Sequence, residues 1–333
     1  MKRATILPVL LLAAAGRAAA KDLSLNPDHW KTIEVTEGGS SSMKGDQIVY
    51  SKGPDVDNNR RTLNTNSSFM LLLPLAEDFT LVAGAGGDWT ETDTAGGNGT
   101  NAADESQVTY QLGGRHYFES AHGAGAPESE NPDRWTSLGL TFSGLATINH
   151  SAGNAAGNFT QEQGTVNSTL TADTRVPVSD AWTLLAGLSG TNSYAKLEPT
   201  PTSAGSRTNT DSLSLSGGFR YYFVGKNLIS DDGDLNPDKW IMLSLVLGAG
   251  GALHSRQTIT TQAGPDAGQR DNQTRAYTAT LTTRIPITDH ASLAFSTNAS
   301  YNRTFTPFLP SANGALTRGT PIGFSASLRY FLF

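Results

Sequence analysis

Five arginines, Arg115, Arg175, Arg220, Arg284 and Arg329, are the residues of this 333-residue chain whose type and spacing most invite a chemical role. Each lies in a stretch where apolar and polar residues alternate, and each is out of phase with the apolar set. Arg175 precedes Val176, Arg220 stands between Phe219 and Tyr221, and Arg284 precedes Ile285. Alternation marks a β-strand, so the arginines occupy the face opposite the apolar one. Glu34 and Asp173 share that parity, leaving an excess of three positive charges on the face. A guanidinium stays charged at any physiological pH, and a ring of them biases a pore towards anions. The alternative is that the arginines pair with turn aspartates and plug one mouth, and the sequence leaves both readings open.

Other candidate chemistry is thinner. The histidines (His29, His116, His122, His150, His254, His290) show neither the i, i+4 zinc spacing nor an H-E-x-x-H motif. His150-Ser151 and His254-Ser255 suggest a lipid-acting hydrolase, but adjacent strand residues point to opposite faces, out of the reach a nucleophile and its base require. Asp231, Asp232, Asp234 and Asp238 form an acidic cluster without the ligand spacing or closing Glu of a calcium loop, and read as a solvated turn. Gly84, Gly86 and Gly87 sit within a strand pattern, where glycine relieves crowding in a curved sheet, not between strand and helix as a phosphate loop does. Cysteine is absent, which excludes disulfides, thiolate metal sites and thiol catalysis. No catalytic residue, metal or cofactor is therefore predicted. A net charge of −6 argues against non-specific nucleic-acid binding.

The elements that must position the arginines repeat. Asn26-Pro27-Asp28-His29-Trp30 returns as Asn131-Pro132-Asp133-Arg134-Trp135 and as Asn236-Pro237-Asp238-Lys239-Trp240, each step being 105 residues. Pro74, Pro177 and Pro286 mark a second recurrent segment, each followed by an acidic residue: Asp78, Asp180 and Asp289. A third marker closes each unit: Arg115-His116-Tyr117-Phe118, Arg220-Tyr221-Tyr222-Phe223 and Arg329-Tyr330-Phe331. The period is too long for a solenoid repeat, so each unit holds several elements. Alternation finds four strands of about ten residues per unit, as in Leu138, Leu140 and Phe142, or Trp182, Leu184, Ala186 and Leu188. Twelve strands follow, in repeats of about 26–130, 131–235 and 236–333. Proline removes a ladder donor and belongs at strand ends. The turns Ala76–Asp78, Ser179–Ala181 and Thr288–His290 are short. Segments such as Thr90–Glu105, Thr191–Thr210 and Asn302–Thr320 read as long polar loops.

Lys2 and Arg3, an uncharged run from Ala4 to Gly16, and Ala18-Ala19-Ala20 form the n-region, h-region and cleavage site of a signal peptide over 1–20. Residues 21–333 are then a single domain. Only 16% of residues are charged, too few for the polar faces of a soluble sheet, and no later run is long enough to be a membrane helix. Aromatics gather at strand ends: Trp30, Trp135, Trp240, Phe118 and Phe223, where a membrane interface favours them.

The signal peptide, the even strand count, the alternation of short turns with long loops and the terminal Phe333 together resemble the Gram-negative outer-membrane β-barrels, of which small twelve-stranded channels are the nearest comparison. The resemblance covers the whole mature chain at the level of class. It implies an all-β, closed antiparallel transmembrane barrel in the bacterial outer membrane, in contact with lipid and lipopolysaccharide. It also implies that the barrel-assembly machinery reads Phe333. In that class, apolar residues alternate to the terminus, which sets Arg329 at odds with Phe331 and Phe333. The expectation is that Leu328 and Tyr330 take the lipid face instead. The leading function is a passive channel for small hydrophilic solutes, anions among them. A lipid-acting hydrolase using His150 or His254 and a plugged structural or adhesive barrel are the alternatives.

Overall fold

The computed structural model describes residues 26–28, 30–49, 56–96, 99–118, 131–133, 135–154, 163–198, 205–225, 236–261, 264–306 and 314–332. The signal peptide, Phe333, His29, His122 and Asp231–Asp234 lie outside the described residues, as does the side chain of His150. The elements are all strands: β1 (Lys31–Val49), β2 (Val56–Ala76), β3 (Phe79–Gly96), β4 (Gly99–Phe118), β5 (Thr136–Asn154), β6 (Gln163–Pro177) and β7 (Trp182–Leu197) form the first half. The second half is β8 (Gly205–Tyr222), β9 (Met242–Thr261), β10 (Gly264–Asp271), β11 (Gln273–Thr288), β12 (Ala291–Thr306), β13 (Gly314–Gly319) and β14 (Ile322–Leu332).

These segments make twelve staves of one closed antiparallel barrel. β10 and β11 both pair with β9 and meet end to end at Asn272. β13 and β14 both lie between β12 and β1, broken at Thr320-Pro321. Pairing of β14 with β1 and of β8 with β9 closes the ring, while β10 at the far rim pairs with β9 alone.

The outward face carries Leu138, Leu140, Phe142, Leu184, Leu188, Leu215, Leu247, Leu281, Phe295 and Phe324, all exposed. A continuous apolar girdle of this size is not tolerated against water, and in a closed barrel it faces lipid. Leu328, Tyr330 and Leu332 belong to it, whereas Arg329 and Phe331 point inward, as parity required. An aromatic cluster lies at its short-turn edge, with Trp182 4.7 Å from Tyr221 and Tyr221 4.9 Å from Phe223, ring centre to ring centre.

Pro177 ends β6, and a register shift follows both Pro74 and Pro286, as the missing donor demands. The long loops expected from sequence are mostly strand. β3 and β4 pair from Phe79–His116 to Gly96–Gly99, through Thr90–Gly96 and Gly99–Glu105. β7 extends to Leu197 and β8 begins at Gly205; β12 extends to Thr306, and β13 occupies Gly314–Gly319. A strand of 18 residues is about 60 Å long, more than a tilted stave needs to cross an apolar band of about 25 Å. Beyond the band both faces are wet, so Ser, Thr, Asn and Gly replace the alternation while the backbone ladder continues.

Candidate functional site: the short-turn mouth

The three Asn-Pro-Asp segments fold into the mouth of the barrel at the short-turn end. Asn26, Asn131 and Asn236 are completely buried there. Each Asn side-chain amide donates to two carbonyls of a neighbouring hairpin turn. Asn26 reaches Ala76 (2.7 Å) and Phe79 (3.3 Å), Asn131 reaches Ser179 (2.7 Å) and Trp182 (3.2 Å), and Asn236 reaches Thr288 (2.6 Å) and Ala291 (3.1 Å). Each Asn Oδ1 then accepts from the backbone N–H two residues on: Asp28 (2.8 Å), Asp133 (2.9 Å) and Asp238 (2.9 Å). This is an Asx turn, made possible by the short amide side chain. The proline between prevents the segment from joining a ladder, so the chain turns inward.

That turn delivers three carboxylates to the inward arginines. Arg220 donates to Asp133 at 2.7 Å, Tyr222 donates its hydroxyl to the same carboxylate at 2.7 Å, and Arg175 stands 3.6 Å away. Arg284 and Arg329 lie 3.0 and 3.4 Å from Asp238. Asp28 accepts from the Tyr117 hydroxyl. The position matching Arg175 and Arg284 in this first segment is Leu72, so no guanidinium arrives from β2. Phe331 occupies the place of Tyr117 and Tyr222 in the last segment and is buried without a hydroxyl. Two strand acids complete the set. Arg329 binds Glu34 at 2.9 Å, and Arg115 binds Asp173 at 2.6 Å. Pro27, Pro132, Pro237 and the three aspartates all line one small cavity with Arg175, Arg220, Arg284 and Arg329, so the three turns converge.

All seven predicted luminal residues therefore point inward and come together, but not as a free positive ring. The sequence count of five arginines against Glu34 and Asp173 omitted Asp28, Asp133 and Asp238; with them the mouth holds five positive and five negative groups. The partners are the motif aspartates, not the hairpin aspartates Asp78, Asp180 and Asp289. Burial alone would raise the Asp133 carboxyl, but the Arg220 and Arg175 guanidiniums reverse this and hold it well below the usual carboxylate range. Burial likewise opposes ionisation of Asp238, and Arg284 and Arg329 again bring its carboxyl below its ordinary value.

The mouth is packed shut and the lumen above it is wet. Inward-facing Thr80, Ser137, Thr183, Ser292, Met242 and Phe331, near the short turns, are all at most 2% exposed. Higher on the wall Ser214, Ser216, Thr278 and Asn298 also face inward, yet are exposed. The interior is a cup closed at the short-turn end.

The predicted interface aromatics divide. Phe118 is outward and exposed. Trp135 is buried at the mouth and does not meet a headgroup layer; its position just before β5 shares the parity of inward Ser137. Trp30 and Trp240, at the equivalent places, and Phe223 are half-buried. Sequence reasoning missed the Trp182 side of the aromatic edge. It also missed the part played by Asn26, Asn131 and Asn236, seen only as repeat markers although Asn-Pro-Asp is a turn signal.

His254 is exposed, whereas the Ser255 hydroxyl is buried 2.7 Å from Thr210, so the two side chains do not form a catalytic pair. Asp238 is engaged by two arginines, and among the described residues no group of three His, Asp or Glu side chains is placed to hold a metal ion.

Among solved structures, the chain is similar to the transport unit of the autotransporter AIDA-I from Escherichia coli, at 11% identity and a TM-score of 0.52, with 97% of each chain covered. It is also similar to an outer-membrane channel from Pseudomonas putida F1, at 14% identity and a TM-score of 0.50, covering 89% of this chain and 95% of that one. No protein-family model matches the sequence, and no curated protein does. At these identities the likeness shows the fold, and that fold is the outer-membrane β-barrel.

Proposed function

We propose that this chain is a channel of the bacterial outer membrane that admits small hydrophilic solutes into a water-filled cup and controls their passage at the short-turn mouth. The observation that supports this most is the gradient along the inner wall, from exposed Ser214, Ser216, Thr278 and Asn298 to the buried ring of Asn-Pro-Asp turns. In such barrels short turns face the periplasm, which makes the mouth a periplasmic gate. Equal numbers of positive and negative groups at the gate give no strong preference for anions over cations, which departs from the excess counted in sequence.

The buried and ion-paired mouth favours a second reading, a permanently plugged barrel serving as a structural element. Planar-bilayer recording of the purified protein separates the two. Discrete conductance steps, enlarged by Asp133→Asn or Asp238→Asn, support a gate. A silent wild type that stays silent in both variants while remaining heat-modifiable on gels supports the plug.

A further inference from the structure

On the outer wall three arginines stand in one cross-strand row. Arg275 on β11 is directly opposite Arg303 on β12, and Arg303 is directly opposite Arg318 on β13. Paired residues in a sheet share a face, and here it is the face of Tyr277 and Tyr301, two residues nearer the membrane centre. Those two rings stack 6.5 Å apart and are exposed, as aromatics at a membrane interface are. The three arginines are exposed too, and among the described residues none has an acidic partner within ion-pair distance. Strand spacing of about 4.8 Å brings three guanidiniums within about 10 Å. Like charges directly opposite one another destabilise a sheet unless something neutralises them.

Height fixes where the neutralising group sits. Arg303 is twelve residues up β12 from Ala291 at the short-turn end. At about 3.3 Å per residue and a tilt of about 40°, this places the row about 30 Å above that end, just past the apolar girdle and level with the far headgroup layer. The row faces away from the lumen, so no permeating solute meets it.

We propose that Arg275, Arg303 and Arg318 form a binding site for the phosphates of an anionic glycolipid in the outer leaflet, with Tyr277 and Tyr301 against the sugar–acyl boundary below. A planar guanidinium offers two parallel N–H donors to a phosphate, and three in a row can grip a headgroup bearing two phosphates. The inference is independent of the channel reading, since it concerns the outer wall alone.

The test uses the purified barrel in uncharged detergent, titrated with lipid A bearing two phosphates, with its dephosphorylated form and with inorganic phosphate. The readout is the temperature at which the compact gel band is lost. Bisphosphorylated lipid A is expected to raise that temperature saturably. Replacing all three arginines (Arg275→Gln, Arg303→Gln, Arg318→Gln) is expected to weaken the effect about a hundredfold. Equal protection by the dephosphorylated lipid, or unchanged affinity in the triple variant, overturns the proposal. Full protection by inorganic phosphate alone makes the row a free-anion site and overturns the lipid assignment. If the triple glutamine variant does not fold, Arg303→Gln alone against the triple lysine variant carries the test. Loss in the first with retention in the second supports the site, and no difference between them overturns it.

Discussion

Arg115 on β4 and Asp173 on β6 meet 2.6 Å apart across Gly139, the residue of β5 that lies between them in the register. A Cβ at Gly139 would strike the Asp173 carboxylate and crowd the Arg115 guanidinium. The pair therefore depends on a third strand supplying no side chain. Gly139→Val is expected to lower barrel stability by about 1–3 kcal/mol, the usual cost of overpacking. Urea unfolding in micelles measures it, and an unchanged midpoint would show that the pair yields without cost.

Asp133 and Asp28 occupy equivalent turns but have different partners. Asp133→Asn leaves the largely buried Arg220 and the half-buried Arg175 beside a neutral amide, a change expected to cost about 3–5 kcal/mol. Asp28→Asn removes a carboxylate held by a tyrosine hydroxyl, and about 1–3 kcal/mol is expected. The ratio of the two unfolding shifts is the measurement. Equal shifts would mean that Arg220 and Arg175 add nothing at the mouth.

The pH dependence follows from the lowered carboxyls of Asp133 and Asp238. A carboxyl depressed by folding contributes stability that is fully present above its unfolded value, about 3.9, and is lost as pH falls through the folded value below it. Closure should therefore be constant from pH 7 to about pH 4 and fail only in stronger acid. Conductance recorded across that range tests this, and opening at pH 5–6 would place the latch elsewhere.

Balanced charge at the mouth predicts a reversal potential near zero for the wild type in a salt gradient. Replacing Arg175 and Arg284 by Glu leaves Asp133, Asp238 and the new carboxylates in excess, and the potential should move towards cation preference. The shift should shrink in 1 M salt, where the Debye length is about 3 Å. No shift at low salt would mean that the mouth is not on the conducting path.

Strand identity, the inward parity of the arginines and the lipid-facing Leu328 and Tyr330 were legible in the sequence. A two-residue period survives wherever one face meets lipid and the other does not. The strand extensions over Thr90–Gly96 and Gly99–Glu105 were illegible for the converse reason: above the membrane both faces are wet, and the backbone ladder leaves no periodic trace. Trp135 was misplaced because aromatics at strand starts can lie on either parity.

The sequence by itself determined that Asn-Pro-Asp recurs three times beside strands bearing inward arginines, because side-chain type and alternation are local properties. Only the tertiary structure decided that the three turns fold into one mouth and bring Asp28, Asp133 and Asp238 to the arginines. Arg220 and Asp133 are 87 residues apart, and Arg329 and Glu34, 295 residues apart, meet only because β14 closes the ring against β1; no local pattern encodes either contact. The pairing register of consecutive strands β11, β12 and β13 likewise set Arg275, Arg303 and Arg318 side by side, a relation between strands that alternation within one strand does not encode.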